Sequence, residues 1–348
     1  MTITVIRHSI RNRGGDRLIL DYCAYLVQKG HEVIYWTNEV NTHFPIDPRI
    51  QIKRIPLPGV VGTIFFSLIK KIKEDIVLVD LVVMAAFTAL RNKKKVVYVA
   101  QDYDVSYYQS AVLQWLTDFF YKFVLHDLRI PTMSVSEGLS AQLSRYKPYR
   151  LMTVSNGVNA DFFYRDPDSR FIKEKSKPNA ILLFAREDYR KGLDVGIKTI
   201  EELMKIRPQQ DWELWTIGTA KISLESNLIK TYGFLNSDAD LRGILSACDI
   251  YLIPSRSEGL SLLLLQALAC QCVIVSTAVS NIIRDGVNGL ISPIEDGKGL
   301  ARRISQVLDD AQLRQDLKKN ARILAEQYSF STSCTRFEKA LTDCLQQG

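Results

Sequence analysis

The chain has 348 residues, 47% hydrophobic and 24% charged, which excludes a disordered or fibrous protein and, by length, a single small module. Forty-five Lys and Arg against 38 Asp and Glu leave a formal charge of +7, which favours polyanionic partners such as phosphates, anionic lipid or nucleic acid without choosing among them.

The opening "MTITVIRHS" reads as a strand and not as a secretory leader. A Gly14-Gly15 turn follows, then "DRLILDYCAYLVQKG", where Leu18, Ile19, Tyr22 and Leu26 keep helical spacing up to a stop at Gly30. Further strands are expected at "HEVIYWT", "RIQIKRIPL", "DIVLVD", "KKVVYVAQD" and "PTMSVS", with helical patterns between several of them. Strands alternating with helices predict a doubly wound, mostly parallel sheet. A polar stretch through "FIKEKSKPN" marks a linker over 155–178. The alternation then resumes through "AILLFA", helix "GLDVGIKTIEELMKI", "WELWTIG", "IKTYGFL", helix "ADLRGILSAC", "IYLIPS", helix "SLLLLQALAC", "CVIVST" and "GLISP", and 297–348 reads as two helices.

Several function classes are disfavoured by what the sequence lacks. The six cysteines form no C-x-x-C pair and the four histidines have no ligand spacing, so reduced thiols in a cytoplasmic protein are expected, and no metal site. No uncharged apolar run reaches eighteen residues, so no spanning helix is expected. The basic runs at Lys70, Lys71, Lys73 and at Lys93 to Lys95 sit beside no RNA-stacking motif and no helix-turn-helix, so no nucleic-acid partner is expected.

Two loops in the second half carry candidate chemistry. In "FAREDYRKGLD" a strand ends at Ala185 and delivers Arg186 and Lys191 to the carboxyl edge of the sheet, where such folds bind ligands. A guanidinium fork and an ammonium suit a diphosphate, although the segment taken alone reads first as a solvated basic loop. In "PSRSEGLSLLLLQALAC" a loop with Glu258 and Gly259 leads to Ser261, a helix cap, so the backbone N–H groups of Gly259, Leu260, Ser261 and Leu262 point at the same edge. Gln266 is the polar residue in the apolar run from Leu262 to Cys270; it either caps a backbone group or faces the ligand. In the first half "VVYVAQDYDVSYYQS" places Gln101, Asp102, Tyr103 and Asp104 at a sheet edge, where Asp102 and Asp104 alternate in facing if the strand persists, and an Asp either holds a ligand hydroxyl, or takes its proton, or caps a helix.

The second half resembles the carboxyl-terminal domain of family-4 glycosyltransferases, retaining sugar-nucleotide enzymes of the GT-B fold. "FAREDYRKGLD" is similar to their G-R-x-x-x-x-K-G segment, "IYLIPSRSEGLSLLLLQALACQCVIVST" to P-S-x-x-E-G-x-x-x-x-x-x-E-A-x-A-x-G-x-P-V-I, and "IRDGVNGLI" to D-G-x-N-G-x-L. "RNRGGDRLILDYCAYLVQKGHEV" and "VSNGVNADFF" resemble the amino-terminal G-G-A-E-R and N-G-V-D segments, and "QDYD" resembles a segment of rhamnosyltransferase-like members. The resemblance implies two Rossmann-like doubly wound α/β domains facing a central cleft: 1–160 binding the acceptor, 161–328 binding the donor, and a helix over 329–348 crossing back onto the first. It implies that Arg186 and Lys191 bind the donor diphosphate, that Glu258 contacts the sugar, that the Gly259 to Leu262 backbone lies at the phosphates, and that Gly14 and Gly15 face them from the first domain. Catalysis would then involve Asp102, Asp104, Arg186, Lys191 and Glu258, without metal or other cofactor. The family's second glutamate is replaced by Gln266, an amide that can still bond ribose hydroxyls but brings no charge.

The function so implied is transfer of a hexose or deoxyhexose, with retention, from a nucleoside-diphosphate sugar to a glycan or lipid-linked acceptor in cell-surface polysaccharide or glycolipid synthesis. A non-catalytic sugar-nucleotide or glycan-binding protein and a sugar-nucleotide epimerase are the alternatives. Two stretches, "GTIFFSLIKKIKEDI" and "VLQWLTDFFYKFVLHDLR", have the pattern of basic amphipathic helices, which either pack on a core or lie on an anionic membrane. A peripheral position on the inner face of the membrane is the expectation they raise.

Overall fold

The computed structural model describes residues 1–224 and 226–346; Gln347 and Gly348, the end of the expected terminal helix, lie outside the described residues. The chain divides into two compact units, Met1–Asn156 together with the segment from Ser331 on, and Gly157–Phe330. The divisions anticipated from sequence stood at 160/161 and 328/329.

In the first unit the chain runs β1 (Thr2–Ile6), β2 (Ser9–Arg11), α1 (Gly14–Gln28), β3 (Glu32–Thr37), β4 (Glu39–Asn41), β5 (Gln51–Arg54), α2 (Gly59–Ile69), β6 (Ile76–Val79) and α3 (Val82–Asn92). It continues through β7 (Val96–Ala100), α4 (Ala111–Lys122), β8 (Thr132–Ser134), α5 (Glu137–Ser144) and β9 (Leu151–Thr153). Seven strands form one parallel sheet in the order β5-β3-β1-β6-β7-β8-β9, and β2 pairs with β4 apart from it. The central strands "IVLV" and "VVYVA" are buried throughout, the mark of a parallel strand with both faces covered.

The second unit begins with the segment expected to be a linker. Residues 157–178 are instead packed: Phe163 and Phe171, the latter on α6 (Arg170–Lys173), are buried, and Ser169 Oγ donates to the Gly243 carbonyl at 2.8 Å. Aromatic residues inside a polar run carried that signal. The unit continues β10 (Asn179–Ala185), α7 (Leu193–Ile206), β11 (Trp212–Gly218), β12 (Ile229–Gly233), α8 (Asp238–Ala247), β13 (Ile250–Ile253), α9 (Leu262–Ala269), β14 (Val273–Thr277) and β15 (Leu290–Ser292). Its strands are parallel in the order β12-β11-β10-β13-β14-β15, the doubly wound arrangement in which chain order reverses between β10 and β13.

The end of the chain forms three helices where two were expected: α10 (Gly297–Asp309), α11 (Ala311–Gln327) and α12 (Phe330–Gln346). The break between the first two is made by Asp310, whose carboxylate accepts from the Leu313 N–H at 2.9 Å and caps α11. Helix α12 completes the first unit: Phe337 stacks on Tyr22 with ring centroids 4.2 Å apart, Tyr22 and Ser333 hydroxyls share a 2.7 Å hydrogen bond, and His31 Nε2 pairs with Glu338 at 2.8 Å. All six cysteines are buried free thiols.

Candidate functional site

The reversal point between β10 and β13 leaves a crevice at the carboxyl ends of the strands, and there the two candidate loops of the second unit meet. Arg186 leaves the end of β10 half-buried, and a single 3₁₀ turn over Tyr189–Lys191 brings Lys191 to Gly192. Gly192 has φ +62°, and a Cβ there would overlap the Pro254 carbonyl oxygen at the end of β13. Only glycine allows both the left-handed turn and the close approach. Lys191 Nζ then reaches Glu258, 2.8 Å from Oε1 and 2.7 Å from Oε2, and Ser255 Oγ donates to Oε1 at 2.9 Å.

The rest of that loop starts a helix. Ser261 accepts from the Leu264 N–H at 3.3 Å and caps α9, so the backbone from Gly259 to Leu262 forms its approach and first turn. Gln266 stands half-buried one turn further on. A helix N-terminus whose preceding loop meets Lys191, on the sheet edge that Arg186 also leaves, is an anion-binding arrangement, and Glu258 offsets the Lys191 charge until a ligand competes for it.

Sequence reasoning missed Arg256, which fastens the two loops together. Its guanidinium donates to Asp194 at 2.8 and 2.6 Å, to the Tyr189 carbonyl at 2.8 Å and to Glu295 Oε2 at 3.0 Å, and it lies 4.1 Å over the Tyr189 ring. Its backbone N–H donates to the Arg190 carbonyl at 2.6 Å. Its side-chain hydrogen bonds hold Asp194 below the usual carboxylate range. Asp194 and Glu295 lie in distant segments, so nothing local in the sequence announced this clamp.

In the first unit the order reverses between β1 and β6, and a buried charge cluster occupies the corresponding edge. Arg7, leaving β1, pairs with Asp16 at 3.0 Å and with Asp80 at 2.8 Å, and donates to the Gly15 carbonyl at 2.9 Å. Gln101 donates to Asp80 at 3.1 Å, and a Cβ on Gly15 would overlap Gln101 Oε1. Burial raises the Asp16 and Asp80 carboxyls, with Arg7 opposing. Gly14 and Gly15, anticipated as a turn, are the first residues of α1, after an extended Arg13. Arg7 and Asp80 carried no signal beyond their places at strand ends.

The strand expected to run through Asp102 stops at Ala100, so Asp102 and Asp104 do not alternate across a pleat. Asp102 is largely buried in the loop, with Oδ1 accepting from the Tyr103 N–H at 2.9 Å. Asp104 is buried at the start of α3, where Oδ2 accepts from the Val82 N–H at 2.8 Å and from Tyr98 Oη at 3.3 Å. Its carboxyl is pushed up to about 8 by burial, with Asp80 and Asp102 adding to the shift. A carboxyl in that state is mostly neutral at pH 7 and serves poorly as a proton acceptor there.

Residues 178–310 match the family described as glycosyl transferases group 1. Among curated relatives, an uncharacterized glycosyltransferase of Methanocaldococcus jannaschii is 24% identical over 208 residues, 56% of this chain and 54% of that one. The N,N'-diacetylbacillosaminyl-diphospho-undecaprenol alpha-1,3-N-acetylgalactosaminyltransferase of Campylobacter jejuni is 33% identical over 109 residues, 30% of this chain and 29% of that one. The chain thus spans about half or less of these relatives' lengths. The crystal structure of Anabaena HepE in complex with UDP-glucose covers 99% of this chain and all of its own, at a TM-score of 0.76 and 16% identity. The fold, two Rossmann-like parallel-sheet units, is that of the GT-B class.

Proposed function

We propose that this chain, whose second unit carries the group 1 glycosyl transferase segment, is a glycosyltransferase that moves a sugar from a nucleoside-diphosphate donor to a hydroxyl of a glycan or lipid-linked acceptor. The observation that carries the reading is the meeting of Lys191, Glu258 and the loop that starts α9 at the β10–β13 reversal point, where Arg186 follows the end of β10. The diphosphate takes Arg186, Lys191 and the N–H groups of the Gly259–Leu262 backbone, Glu258 turns to the sugar hydroxyls, and Gln266 bonds the ribose. That the M. jannaschii and C. jejuni relatives are named as glycosyltransferases, and that HepE was solved with UDP-glucose, supports the donor class.

In the reaction the bond from the anomeric carbon to the β-phosphate oxygen breaks and a bond to the acceptor oxygen forms on the same face, so configuration is retained. Charge builds on the leaving phosphate, where Arg186 and Lys191 stabilise it without a metal ion, and that phosphate takes the acceptor proton. Asp102 holds the acceptor hydroxyl, and Asp104 keeps its segment in place from beneath α3. The "QDYD" segment favours a deoxyhexose such as rhamnose carried on dTDP or UDP. The setting is cell-surface polysaccharide or glycolipid synthesis, with the enzyme peripheral on the inner face of a membrane. A non-catalytic sugar-nucleotide-binding protein is the second reading, favoured by Gln266 at the position of the family's second glutamate.

The test is thermal melting of the wild type and of Arg186→Ala with UDP, dTDP, GDP and ADP, each in EDTA. One diphosphate is expected to raise the wild-type midpoint by mass action and to leave the variant unmoved. With the matching donor sugar, Arg186→Ala is expected to lose about 10²-fold in kcat, as for other groups that stabilise developing negative charge. A variant that binds and turns over like the wild type overturns the donor site. Binding without transfer or hydrolysis selects the second reading, and epimerised donor selects an epimerase.

A further inference from the structure

Helix α4 covers itself on one side only. Of its twelve residues, Thr117 and Tyr121 alone are buried, while Val112 is 66% exposed, Leu113 44%, Trp115 67%, Leu116 38% and Phe119 51%. Val112, Trp115, Leu116 and Phe119 follow the spacing of one helical face, so the exposure forms a continuous apolar stripe and not scattered residues. Helix α2, in the other amphipathic stretch, buries Gly62, Thr63, Phe66 and Ser67, with Ile72 beyond it, and exposes Val61 at 80%, Phe65 at 46% and Ile69 at 45%, so its outer face carries one aromatic ring where that of α4 carries Trp115 and Phe119.

Cations flank the stripe. Lys122 ends α4 on the exposed side, and Phe120 meets Phe87 of α3 at 6.0 Å; one turn past Phe87 come Arg91 and then Lys93 and Lys94, all exposed. Asp118, the acidic residue of α4, is paired with Arg145. An apolar stripe rich in Trp and Phe, bordered by Lys and Arg, matches the boundary between acyl chains and anionic headgroups.

The buried side of α4 holds the acceptor segment. Tyr121 Oη accepts from the Asp104 N–H at 2.8 Å, its ring stacks on Tyr103 at 5.3 Å, and Arg145 bonds both Asp118 and the Tyr103 hydroxyl. We propose that α4 is a bilayer-docking helix: its Val112–Phe119 stripe enters the interface of an anionic membrane and thereby holds the Asp102–Asp104 segment, across the thickness of one helix, next to a lipid-linked acceptor. The purpose assigned to the contact rests on the proposed function; the contact itself does not.

The experiment uses the full chain with vesicles of phosphatidylglycerol and phosphatidylcholine in equal parts, and with phosphatidylcholine alone. The wild type is expected to co-sediment with the anionic vesicles, with emission from Trp115, the one exposed tryptophan among the described residues, shifting to the blue. The double variant Trp115→Ser with Phe119→Ser is expected to lose about tenfold or more of that partitioning, since each buried ring contributes much of the apolar area. Both sites are exposed, so the variant should fold, and its melting and nucleoside-diphosphate response run in parallel. A wild type that stays in the supernatant overturns the proposal, as does a variant that partitions like the wild type. Equal partitioning onto phosphatidylcholine overturns the anionic preference. A wild-type dimer that the variant turns into a monomer on gel filtration assigns the stripe to a second copy of the chain and overturns the bilayer. A lost lipid contact with an intact diphosphate response leaves the transferase reading standing; the reverse result removes that reading and leaves the membrane contact.

Discussion

The side chains that matter most in both units are charged groups held where water is scarce, and their cost is visible in Asp104. Its carboxyl titrates at about 8 in the fold against an ordinary value of 3.8, so between those values the folded chain binds more protons than the unfolded one. Stability is then greatest below the lower value and falls as pH rises toward the upper, by up to about 1.4 kcal/mol per pH unit for one group. Asp104→Asn is expected to flatten that slope in urea midpoints measured across the window. If the variant keeps the wild-type slope, Asp104 is not the group responsible. The aspartate itself was legible in "QDYD", because a polar pair after an apolar strand is conspicuous. Its burial was not, because the Val82 N–H that it accepts from belongs to a helix start 22 residues earlier.

At the scale of elements, the second-unit site is two loops made into one surface by a glycine. Gly192 sits at φ +62° against the Pro254 carbonyl, so Gly192→Ala should push the Tyr189–Lys191 turn away from β13, at a cost of about 1–3 kcal/mol in denaturant unfolding. Loss of the Lys191–Glu258 pairing should accompany it, read as a diphosphate midpoint shift that shrinks even where the variant is folded. A variant as stable and as responsive as the wild type would sink the role given to that approach. Both loops could be found from sequence because each is a strand end, a short spacing and a helix start in one contiguous stretch. The Arg256 clamp and the Arg7 cluster could not, since ion pairs between distant segments leave no periodicity. The break at Asp310 was lost for another reason: α10 and α11 are both amphipathic, and a single capping aspartate inside a long helical pattern looks like any other surface acid.

At the scale of the molecule, the first unit is discontinuous in sequence, since it takes α12 from the far end of the chain. Phe337 is fully buried against Tyr22 there, so Phe337→Ala should destabilise this unit by about 3–5 kcal/mol. Hydrogen exchange is expected to quicken in β1 and β6 and to stay slow in β10 and β13. Equal acceleration in both units would mean that they unfold as one body.

That borrowed helix also sets an order of events during synthesis. The ribosome makes the first unit's sheet before the second unit, but Tyr22 and its neighbours on α1 stay uncovered until α12 emerges. The second unit, continuous from Gly157 to Phe330, has all its own strands before then. The unit whose sheet is made first is thus completed only after the second, and a nascent chain truncated before α12 would present chaperones with an open apolar face on the first unit and an already folded second one.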